Sequence, residues 1–532
     1  MNALQFPSRR SAILARQGMV ATSQPLAAMA GLRILMDGGN AADAAVTVAA
    51  MLNVVEPMST GIGGDCFALI FDAQTGKVTA LNGSGRAPGA FTLEEAQRRG
   101  LKEIPLTGPL PVTVPGAASG WQALLDRFGT LTLAGCLAPA IATAQAGFPV
   151  SERISAGWQR SSDKLSQDAE AARVYLPAPK PGDIHRQPDL AHTFLTVAEG
   201  GAQAFYEGEL AAKIAACVQS KGGYLTAGDL AAHTATWGIP IRTAYRDVEV
   251  LEHPPNGQGL AALVALNLVE GYDLAGMDYF DPARWHVMIE AMRLGMADAA
   301  RHVADPAMVQ VPVAGLLSKG YAAKRRALIR PDKALEIVAP GQPEHRDTVY
   351  LTVVDGQGNA VSFINSLYYG FGSGLVVPGT GICLQNRGAC FSLESGHPNA
   401  LAGGKRPYHT IIPAMALRQG RLWLSFGVMG GFMQPQGHLQ VLTNLVDHGM
   451  NPQAALDAPR FRVNERGGLA VSVETGVPLA TRKALAAMGH EVTAEPTFTP
   501  GFGSGDIIAR DARSGVLWGA SDPRKDGCAV GF

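Results

Sequence analysis

The sequence predicts an α+β fold, because long helical patterns and short strand-like runs occur along the whole chain. The helical patterns repeat apolar side chains at the spacing of one helix face and cover about residues 24–55, 118–146, 191–219 and 283–304. The strand-like runs are short, apolar and rich in β-branched residues, and they cover about residues 18–22, 67–71, 348–354 and 360–364. The chain has 532 residues, which is enough for one large core or two domains.

The first helical region is predicted to form two helices. Gly38 and Gly39 interrupt its apolar pattern, and Asn40 is a residue type that caps a new helix, here one through residues 41–54. The glycine cluster at 61–64 then turns into the next strand. A dinucleotide-binding fingerprint opens a helix instead, so this cluster does not indicate a nucleotide cofactor.

Loops rich in proline and glycine occupy residues 105–116 and 177–188. A longer polar stretch, residues 330–346, contains three prolines and precedes the strand that begins at Thr348. Exposed polar segments of this kind are preferred sites of chain cleavage. We therefore expect a linker here. The first part of the chain would end at Asp347, and the second would begin at Thr348.

Bulk composition excludes several functional classes. The formal net charge is −1 and charged residues make up 17% of the chain, so no basic patch indicates nucleic-acid binding. The six cysteines are scattered without ligand spacing, which favours buried reduced thiols over a disulfide or zinc framework. The twelve histidines form no HxxxH or HxH pair, so neither a metal site nor a cofactor is expected.

No run of the sequence reaches the roughly 18 unbroken apolar residues of a membrane span. Residues 8–14 contain the twin arginines of an export signal. Arg16 and Gln17 interrupt what would be its apolar core, and residues 18–22 already have the pattern of a first strand. We therefore expect no export signal and a cytoplasmic protein.

The position of Thr348 is the first indication of chemistry. Cleavage of the Asp347–Thr348 bond would give this residue both a hydroxyl and a free α-amine, which are a nucleophile and its base. An α-amine titrates at about pH 8, so part of it is neutral at cell pH. Taken alone, a threonine at the start of a strand is also an ordinary β-branched residue of a sheet.

Motifs along almost the whole chain support the catalytic interpretation. They occupy, in order, residues 38–46, 56–64, 85–88, 114–116, 223–226, 254–259, 371–374, 405–407, 430–431 and 522–524. Together with Thr348 they resemble the γ-glutamyltranspeptidase family of N-terminal-nucleophile hydrolases. The resemblance implies a four-layer αββα sandwich, with two stacked sheets covered by helices. It also implies self-cleavage into a large subunit, residues 1–347, and a small subunit, residues 348–532, which form one intertwined domain.

The resemblance implies a catalytic role for four residues. Thr348 first attacks the Asp347 carbonyl to cut its own chain and then uses the same hydroxyl on the substrate. Ser366 stands where relatives place a threonine that hydrogen-bonds the amine of the nucleophile. Gly430 and Gly431 match the oxyanion-hole glycines, where the missing Cβ lets backbone N–H groups approach the developing charge. Without the resemblance, a loop serine and a tight turn would explain the same residues.

The residues expected to face the amino end of the substrate depart from the family. Relatives that act on γ-glutamyl groups hold the substrate α-ammonium with an acid, a glutamine and an asparagine. Here Cys390, Arg387 and Tyr368 stand at those three positions. His409 and Thr410 replace a pair of serines, and His409 would either orient substrate or satisfy a loop carbonyl. An ammonium needs a compensating negative charge, whereas an arginine repels it.

Arg86 aligns with an arginine that clamps the substrate carboxylate in relatives, where a planar guanidinium offers two parallel donors. The alternative is an ordinary surface arginine. Arg86 and Arg387 together indicate an acidic substrate that lacks an α-amino group. The predicted function is therefore hydrolysis of a small carboxylate-bearing amide, as in oxamate amidohydrolases, without a cofactor.

Three alternatives stay open at this point. A γ-glutamyl hydrolase or transpeptidase would hold the ammonium through other residues. A cephalosporin acylase, another known branch of the family, would act on a dicarboxylic acyl side chain. A non-enzymatic scaffold would keep only the fold, but Thr348, Arg86, Gly430 and Gly431 are all present. The large and small subunits are the expected partners, and a dimer of such heterodimers is left open.

Overall fold

A computed structural model describes residues 10–336, 348–463 and 468–532. Two seven-stranded sheets form the centre of the molecule, and helices pack on the outer face of each sheet. This αββα arrangement confirms the predicted fold class. Among the helices described, none combines the length and the apolar character that crossing a bilayer requires.

The strands are short, and those at the centre of the sheets are buried on both faces. In chain order they are β1 (Ile13–Ala15), β2 (Met19–Thr22), β3 (Asp65–Asp72), β4 (Lys77–Gly83), β5 (Phe148–Pro149), β6 (Ile184–His185), β7 (Thr236–Gly238), β8 (Ile241–Tyr245), β9 (Val248–Glu252), β10 (Val349–Val354), β11 (Ala360–Ser366), β12 (Val376–Val377), β13 (Ile382–Cys383), β14 (Ala414–Arg418), β15 (Arg421–Met429), β16 (Phe461–Val463), β17 (Ala470–Glu474), β18 (Glu491–Glu495), β19 (Ser504–Arg510), β20 (Leu517–Ser521) and β21 (Cys528–Gly531).

The helices range from single turns to the 21-residue helix α14. In chain order they are α1 (Pro25–Met36), α2 (Ala41–Val55), α3 (Leu93–Arg98), α4 (Ala117–Phe128), α5 (Leu133–Ala146), α6 (Glu152–Gln159), α7 (Ser162–Leu165), α8 (Ala169–Tyr175), α9 (Pro188–Gly200), α10 (Gln203–Tyr206), α11 (Gly208–Gln219), α12 (Ala227–Ala231), α13 (Gly259–Val269), α14 (Pro282–His302), α15 (Val313–Leu316), α16 (Lys319–Arg326), α17 (Met433–Val446), α18 (Pro452–Asp457) and α19 (Leu479–Ala487). Short 3₁₀ turns span Arg387–Cys390 and Pro500–Phe502.

Both large sheets are antiparallel throughout. Sheet I has the strand order β1-β20-β19-β15-β14-β9-β8, and sheet II has the order β21-β2-β10-β11-β3-β4-β7. Each sheet therefore contains strands from before residue 337 and from after residue 347. The two predicted subunits would share both sheets, and their boundary stays a prediction because Asp347 lies outside the described residues.

Helix α2 shows how the outer layers form. Alanine and valine dominate it, all of its residues are buried, and it packs on β10 and β11 of sheet II. A helix that is apolar all round is expected inside a layered core. Asn40 caps this helix as predicted, because its side chain accepts from Ala42 N at 2.9 Å and its own N–H donates to Asp43 at 2.9 Å. Helices α13 and α17 cover sheet I in the same way.

A layer of side chains separates the two sheets. Tyr350 on β10, Ile364 on β11 and Phe67 on β3 pack there with Met429 at the end of β15. Side chains alternate between the two faces of a strand. The residues two positions before Tyr350, after Ile364 and before Phe67 therefore point into the same layer, at one edge of it.

Two of the predicted helical regions are divided in the structure. Residues 118–146 contain α4 and α5, which are separated at Gly129, where the backbone is extended. Thr132 then caps α5 by accepting from Gly135 N. Residues 191–219 contain α9, α10 and α11. The apolar pattern continues across these breaks, so periodicity alone does not reveal them. The first strand is β1, which precedes the predicted strand at 18–22.

Candidate active site

The ends of three neighbouring strands bring Thr348, Ser366 and Asp65 together. Strand β10 begins directly after Thr348, β11 ends at Ser366 and β3 begins at Asp65. In the ladder, Val349 pairs with Asn365 and Ser366 pairs with Asp65. Alternation along the strands directs all three side chains toward sheet I, and all three are buried.

Thr348 is held at both its side chain and its carbonyl. Its Oγ1 lies 3.3 Å from Ser366 Oγ, and its carbonyl oxygen accepts a hydrogen bond from Lys525 Nζ at 3.1 Å. Within the described chain, no imidazole or carboxylate hydrogen-bonds to this hydroxyl. The arrangement is therefore consistent with the prediction that the base is the α-amine freed by cleavage.

Ser366 connects the predicted nucleophile to the residues expected to bind substrate. Besides contacting Thr348, its Oγ accepts from Tyr368 N at 2.9 Å and from an Arg387 Nη at 3.3 Å. A serine hydroxyl can accept two hydrogen bonds and donate one. Because two donors reach the oxygen, its own proton is available to the hydroxyl or the amine of Thr348.

Arg387 lies fully buried in the 3₁₀ turn Arg387–Cys390. Its other terminal nitrogen donates to Thr410 Oγ1 at 2.8 Å, and its guanidinium carbon lies 4.2 Å from the centre of the Tyr368 ring. Its Nε has no hydrogen-bond partner among the described residues. Burial is the largest influence on the group and lowers the pKa of the guanidinium from its ordinary value.

Arg387 has no carboxylate partner in the part of the chain that the structure describes. No carboxylate oxygen lies within ion-pair distance of its guanidinium, although Asp65 is close enough to lower the cost of the charge. Tyr368, whose ring covers the guanidinium, has a positive φ of 83°. A left-handed tyrosine is uncommon, and strained backbone of this kind is concentrated at functional sites.

The carboxylate of Asp65 is surrounded by hydrogen-bond donors. Its oxygens accept from Gly85 N and Gln385 Nε2, both at 2.8 Å, and one oxygen lies 3.0 Å from His409 Nε2. Burial raises the pKa of Asp65 to about 6, and the nearby Arg387 charge opposes that rise. Asp65 thus remains a carboxylate near neutral pH because its partners stabilise the charge.

His409 makes a different contact from either of those predicted for it. The ring is fully buried, and its Nδ1 accepts from Ile411 N at 3.3 Å while Nε2 faces the Asp65 carboxylate. Burial lowers the pKa of His409 well below its ordinary value. A neutral ring that donates from Nε2 and accepts at Nδ1 satisfies both contacts. It holds the chain at Thr410, which in turn contacts Arg387.

Gly430 and Gly431 form the turn between β15 and α17, next to the layer that contains Tyr350. Their φ angles are 120° and 61°, in the region that favours glycine. Gln258 donates to Gly431 O at 2.8 Å and to Thr410 O at 2.7 Å, so it links this turn to the chain beside Arg387. The role of this turn as an oxyanion hole stays a prediction.

Arg86 lies at the margin of the cluster, whereas the Cys390 thiol interacts with Arg387. Arg86 donates to Asp305 at 3.2 Å and to Gly404 O at 3.1 Å, and 32% of its side chain is exposed. Unlike Arg387, it already has a carboxylate partner. Cys390 is half-buried, and its carbonyl accepts from Asn399 Nδ2 at 2.7 Å.

Sequence reasoning missed Asp65, Gln385, Lys525 and its partner Glu56. Three of them stand inside or beside the recognised motifs: Glu56 begins the motif at 56–64, Asp65 follows it and Lys525 follows the motif at 522–524, whereas Gln385 lies in none of them. A carboxylate placed directly before an apolar strand was the available signal. Two of its partners, Gln385 and His409, are more than 300 positions away in sequence, which no local pattern can reveal.

A second buried polar cluster lies outside this site. His286, Glu290 and His490 could offer ligand atoms within 4.8 Å of one another. The histidine rings contact each other at 2.8 Å, and Arg293 already forms an ion pair with Glu290 at 2.5 Å. A further cation would meet a carboxylate whose charge Arg293 already balances, so the cluster gives no reason to expect a metal ion.

Comparison with known proteins shows likeness along nearly the whole chain. The family model for gamma-glutamyltranspeptidase matches residues 27–532. The glutathione hydrolase-like YwrD proenzyme of Bacillus subtilis (strain 168) is 39% identical over 527 residues, covering 98% of this chain and 99% of that protein. The oxamate amidohydrolase proenzyme of Klebsiella pneumoniae is 35% identical over 535 residues, covering 98% and 100%. The crystal structure of cephalosporin acylase from Bacillus halodurans superimposes on this chain with a TM-score of 0.94, covering 99% of this chain and 98% of that one. The two sequences are 47% identical.

Proposed function

Because this chain belongs to the γ-glutamyltranspeptidase family, we propose that it is a self-processing amidohydrolase for a small carboxylate-bearing amide of the oxamate type. The family assignment makes the chain an enzyme that acts on amide C–N bonds. Thr348, freed from Asp347, is the proposed nucleophile and forms an acyl-enzyme through its hydroxyl.

The buried guanidinium of Arg387 is the observation that carries the substrate proposal. Its neighbours are two hydroxyls, the Cys390 thiol and an aromatic ring, none of which is a carboxylate, and its Nε has no acceptor within hydrogen-bond distance among the described residues. Burying a charge is unfavourable unless a partner compensates it. A substrate carboxylate supplies the missing negative charge and matches the planar fork of an arginine.

Distances at the site favour a short substrate. Ser366 bridges the nucleophile and the guanidinium: its Oγ lies 3.3 Å from Thr348 Oγ1 and 3.3 Å from a terminal nitrogen of Arg387. A carboxylate bound to Arg387 therefore lies close to the carbon that Thr348 attacks. In oxamate the carboxylate is bonded directly to the amide carbon, which suits this spacing.

The same residues disfavour a γ-glutamyl group. Its α-ammonium would require a free carboxylate, and the nearest buried one, on Asp65, is engaged by three donors. Arg387 would repel the ammonium, and the Tyr368 ring occupies the space beside it. Leaving a buried charge without its partner typically costs about 2–5 kcal/mol.

The proposed reaction uses only groups of this chain and water. Thr348 Oγ bonds to the amide carbon while its proton passes to the α-amine. Backbone N–H groups at Gly430 and Gly431 stabilise the oxyanion, and each such donor is typically worth about 10²–10³-fold in rate. The amide nitrogen takes the proton as the C–N bond breaks and leaves as ammonia. Water then attacks the ester by the same route and restores the hydroxyl.

Parallel assays with oxamate, oxamide and γ-glutamyl-p-nitroanilide test the proposal. Oxamide keeps the size and the amide of oxamate but lacks its carboxylate. We expect ammonia release from oxamate and a kcat/KM for oxamide that is lower by about 30-fold or more. Strong turnover of γ-glutamyl-p-nitroanilide together with none of oxamate would overturn the proposed substrate class.

The likeness to the cephalosporin acylase from Bacillus halodurans favours a second candidate. In that case the carboxylate-bearing group would be a longer dicarboxylic acyl side chain, and the leaving amine would be bulky. Glutaryl-p-nitroanilide distinguishes the two possibilities, because it carries a carboxylate without an α-ammonium. Faster turnover of this substrate than of oxamate would select the acylase activity.

A further inference from the structure

Lys525 makes the closest contact of a charged side chain with the predicted nucleophilic residue. Its ammonium donates to the Thr348 carbonyl at 3.1 Å and lies 2.5 Å from a carboxylate oxygen of Glu56, at the end of α2. The second oxygen of Glu56 accepts from Ser23 Oγ at 2.6 Å. Ser23 and Glu56 are buried, and 17% of the Lys525 side chain is exposed. The ammonium is thus held in one place by partners on two sides.

The carbonyl and the α-nitrogen of Thr348 belong to one residue, so a cation fixed on the carbonyl is also close to the nitrogen. Once the preceding bond is cut, that nitrogen becomes an amine that must be neutral to accept the proton of the hydroxyl. A like charge within a few ångströms disfavours protonation of an amine. A fixed ammonium therefore increases the fraction of the amine that can act as a base at neutral pH.

We propose that Lys525 is a positioning residue of the nucleophile: held by Glu56, it fixes the Thr348 carbonyl and keeps the adjacent α-amine in its neutral form. This inference rests on the proposed function, since it requires Thr348 to carry a free amine. It adds a residue that lies directly after the recognised motif at 522–524 and has no role in the sequence-based account.

Other charged groups face this pair from the elements packed around it. Asp506 on β19 is buried next to Ser521, and burial raises its pKa well above the ordinary value. Asp522 is engaged in ion pairs with Arg460 and Arg524. Arg387 approaches from the far side of Ser366. None of these groups takes the place of the ammonium at the carbonyl.

The test is a titration of the Thr348 α-amine in the mature enzyme. Brief reductive methylation with formaldehyde and cyanoborohydride from pH 5 to 10, followed by mass spectrometry of the peptide that begins at Thr348, gives the midpoint of the titration. In Lys525→Met we expect the midpoint about 1 unit higher than in the wild type. Lys525→Arg, which keeps the charge, should stay near the wild type, and Glu56→Gln should shift the midpoint downward.

A matched control is Lys319→Met, which removes an ion pair of the same kind, with Glu270 at 2.6 Å, far from the site in sequence. It should leave the midpoint unchanged. An unshifted midpoint in Lys525→Met would overturn the inference. If that variant stays uncleaved while Lys525→Arg matures, the need for a cation at the carbonyl is supported. In that case the Thr348 amine is titrated in Glu56→Gln instead. A midpoint equal to or higher than that of the wild type overturns the inference.

The result also separates this inference from the function on which it rests. Wild-type protein without a free amine on Thr348 would contradict the proposed function itself. A cleaved and active wild type with an unshifted Lys525→Met variant would contradict the role of Lys525 alone.

Discussion

At the scale of single residues, Arg387 carries the substrate hypothesis. Its contacts are the hydroxyls of Ser366 and Thr410, the thiol of Cys390 and the ring of Tyr368. Hydroxyls accept hydrogen bonds but carry no charge, so they compensate a buried cation only in part. A carboxylate on the substrate, as proposed above, would supply the missing negative charge.

Replacing this arginine should affect substrate binding more than folding. In Arg387→Gln we expect kcat/KM for oxamate to fall by about 30-fold or more, mainly through KM, because the carboxylate loses its charged partner. Arg387→Lys should not restore it, since a lysine lacks the planar fork. Steady-state assays of ammonia release measure both effects.

Arg284 offers a matched control for that experiment. It is also buried, and its guanidinium lies 4.5 Å from the centre of a tyrosine ring, that of Tyr279. Arg284→Gln should change the stability of the fold and leave KM for oxamate unaltered. An equal rise of KM in the two variants would mean that Arg387 acts through the fold rather than on the substrate.

Asp65 should make the stability of the fold fall as the pH rises. Its pKa is raised to about 6 in the folded chain, against about 4 in an unfolded one. Such a group contributes stability below its unfolded pKa, and this contribution is lost as the pH rises through about 6. The free energy of unfolding of the wild type relative to Asp65→Asn should therefore fall by about 2 kcal/mol between pH 4 and pH 7.

Urea unfolding of both proteins at the two pH values measures this difference. His409 is present in both, and its pKa is lowered mainly by burial, so the comparison reports mainly on the carboxylate. A difference between the two proteins that stays constant with pH would show that Asp65 is not perturbed.

At the scale of elements, the site depends on where strands end. The sequence predicts the strand that begins at Thr348 and the following one, and both form side by side as β10 and β11. It does not predict that β3 lies next to β11 and begins with Asp65, because strand order is decided by pairing between distant segments. Local patterns thus locate the nucleophile, whereas its buried partners depend on tertiary packing.

The glycine turn between β15 and α17 is the second element on which the account depends. At Gly430, with φ of 120°, an added Cβ would lie 3.1 Å from Gly503 Cα. Gly430→Ala should cost about 1–3 kcal/mol of stability through backbone strain. It should also lower kcat by about 10²–10³-fold if the turn supplies oxyanion donors. Thermal unfolding and steady-state kinetics measure the two effects.

Gly420 provides the matched control, since it has a φ of 74° with no atom within 4 Å of an added Cβ. It lies between β14 and β15 of the same sheet. Gly420→Ala should also lower the stability through backbone strain, but it should leave kcat unchanged. If Gly430→Ala keeps its kcat as well, the turn is structural and not part of the oxyanion hole.

At the scale of the whole molecule, the predicted cut would not divide the fold. Sheet I takes β1, β8 and β9 from the N-terminal side, and sheet II takes β2, β3, β4 and β7, while the remaining strands of both come from the C-terminal side. The resemblance to the family implied such an intertwined domain. Periodicity along the chain could not have shown it, because it carries no information about which strands pair.

The shared sheets predict that the two cleaved chains stay together. Size-exclusion chromatography under native conditions should show one species containing both chains, and heating should unfold them in one cooperative transition, because neither retains a complete sheet alone. Separate elution of the two chains without denaturant, or two resolved transitions, would contradict the intertwined arrangement.

The most direct test of the central claim is intact-mass measurement of the purified protein and of Thr348→Ala, each paired with an assay on oxamate. We expect the wild type to give two chains in place of one of 55.6 kDa, the smaller beginning at Thr348, and to be active. The alanine variant should remain one chain and be inactive. Activity in an unbroken chain, or in the alanine variant, would contradict the claim that Thr348 becomes the nucleophile through cleavage.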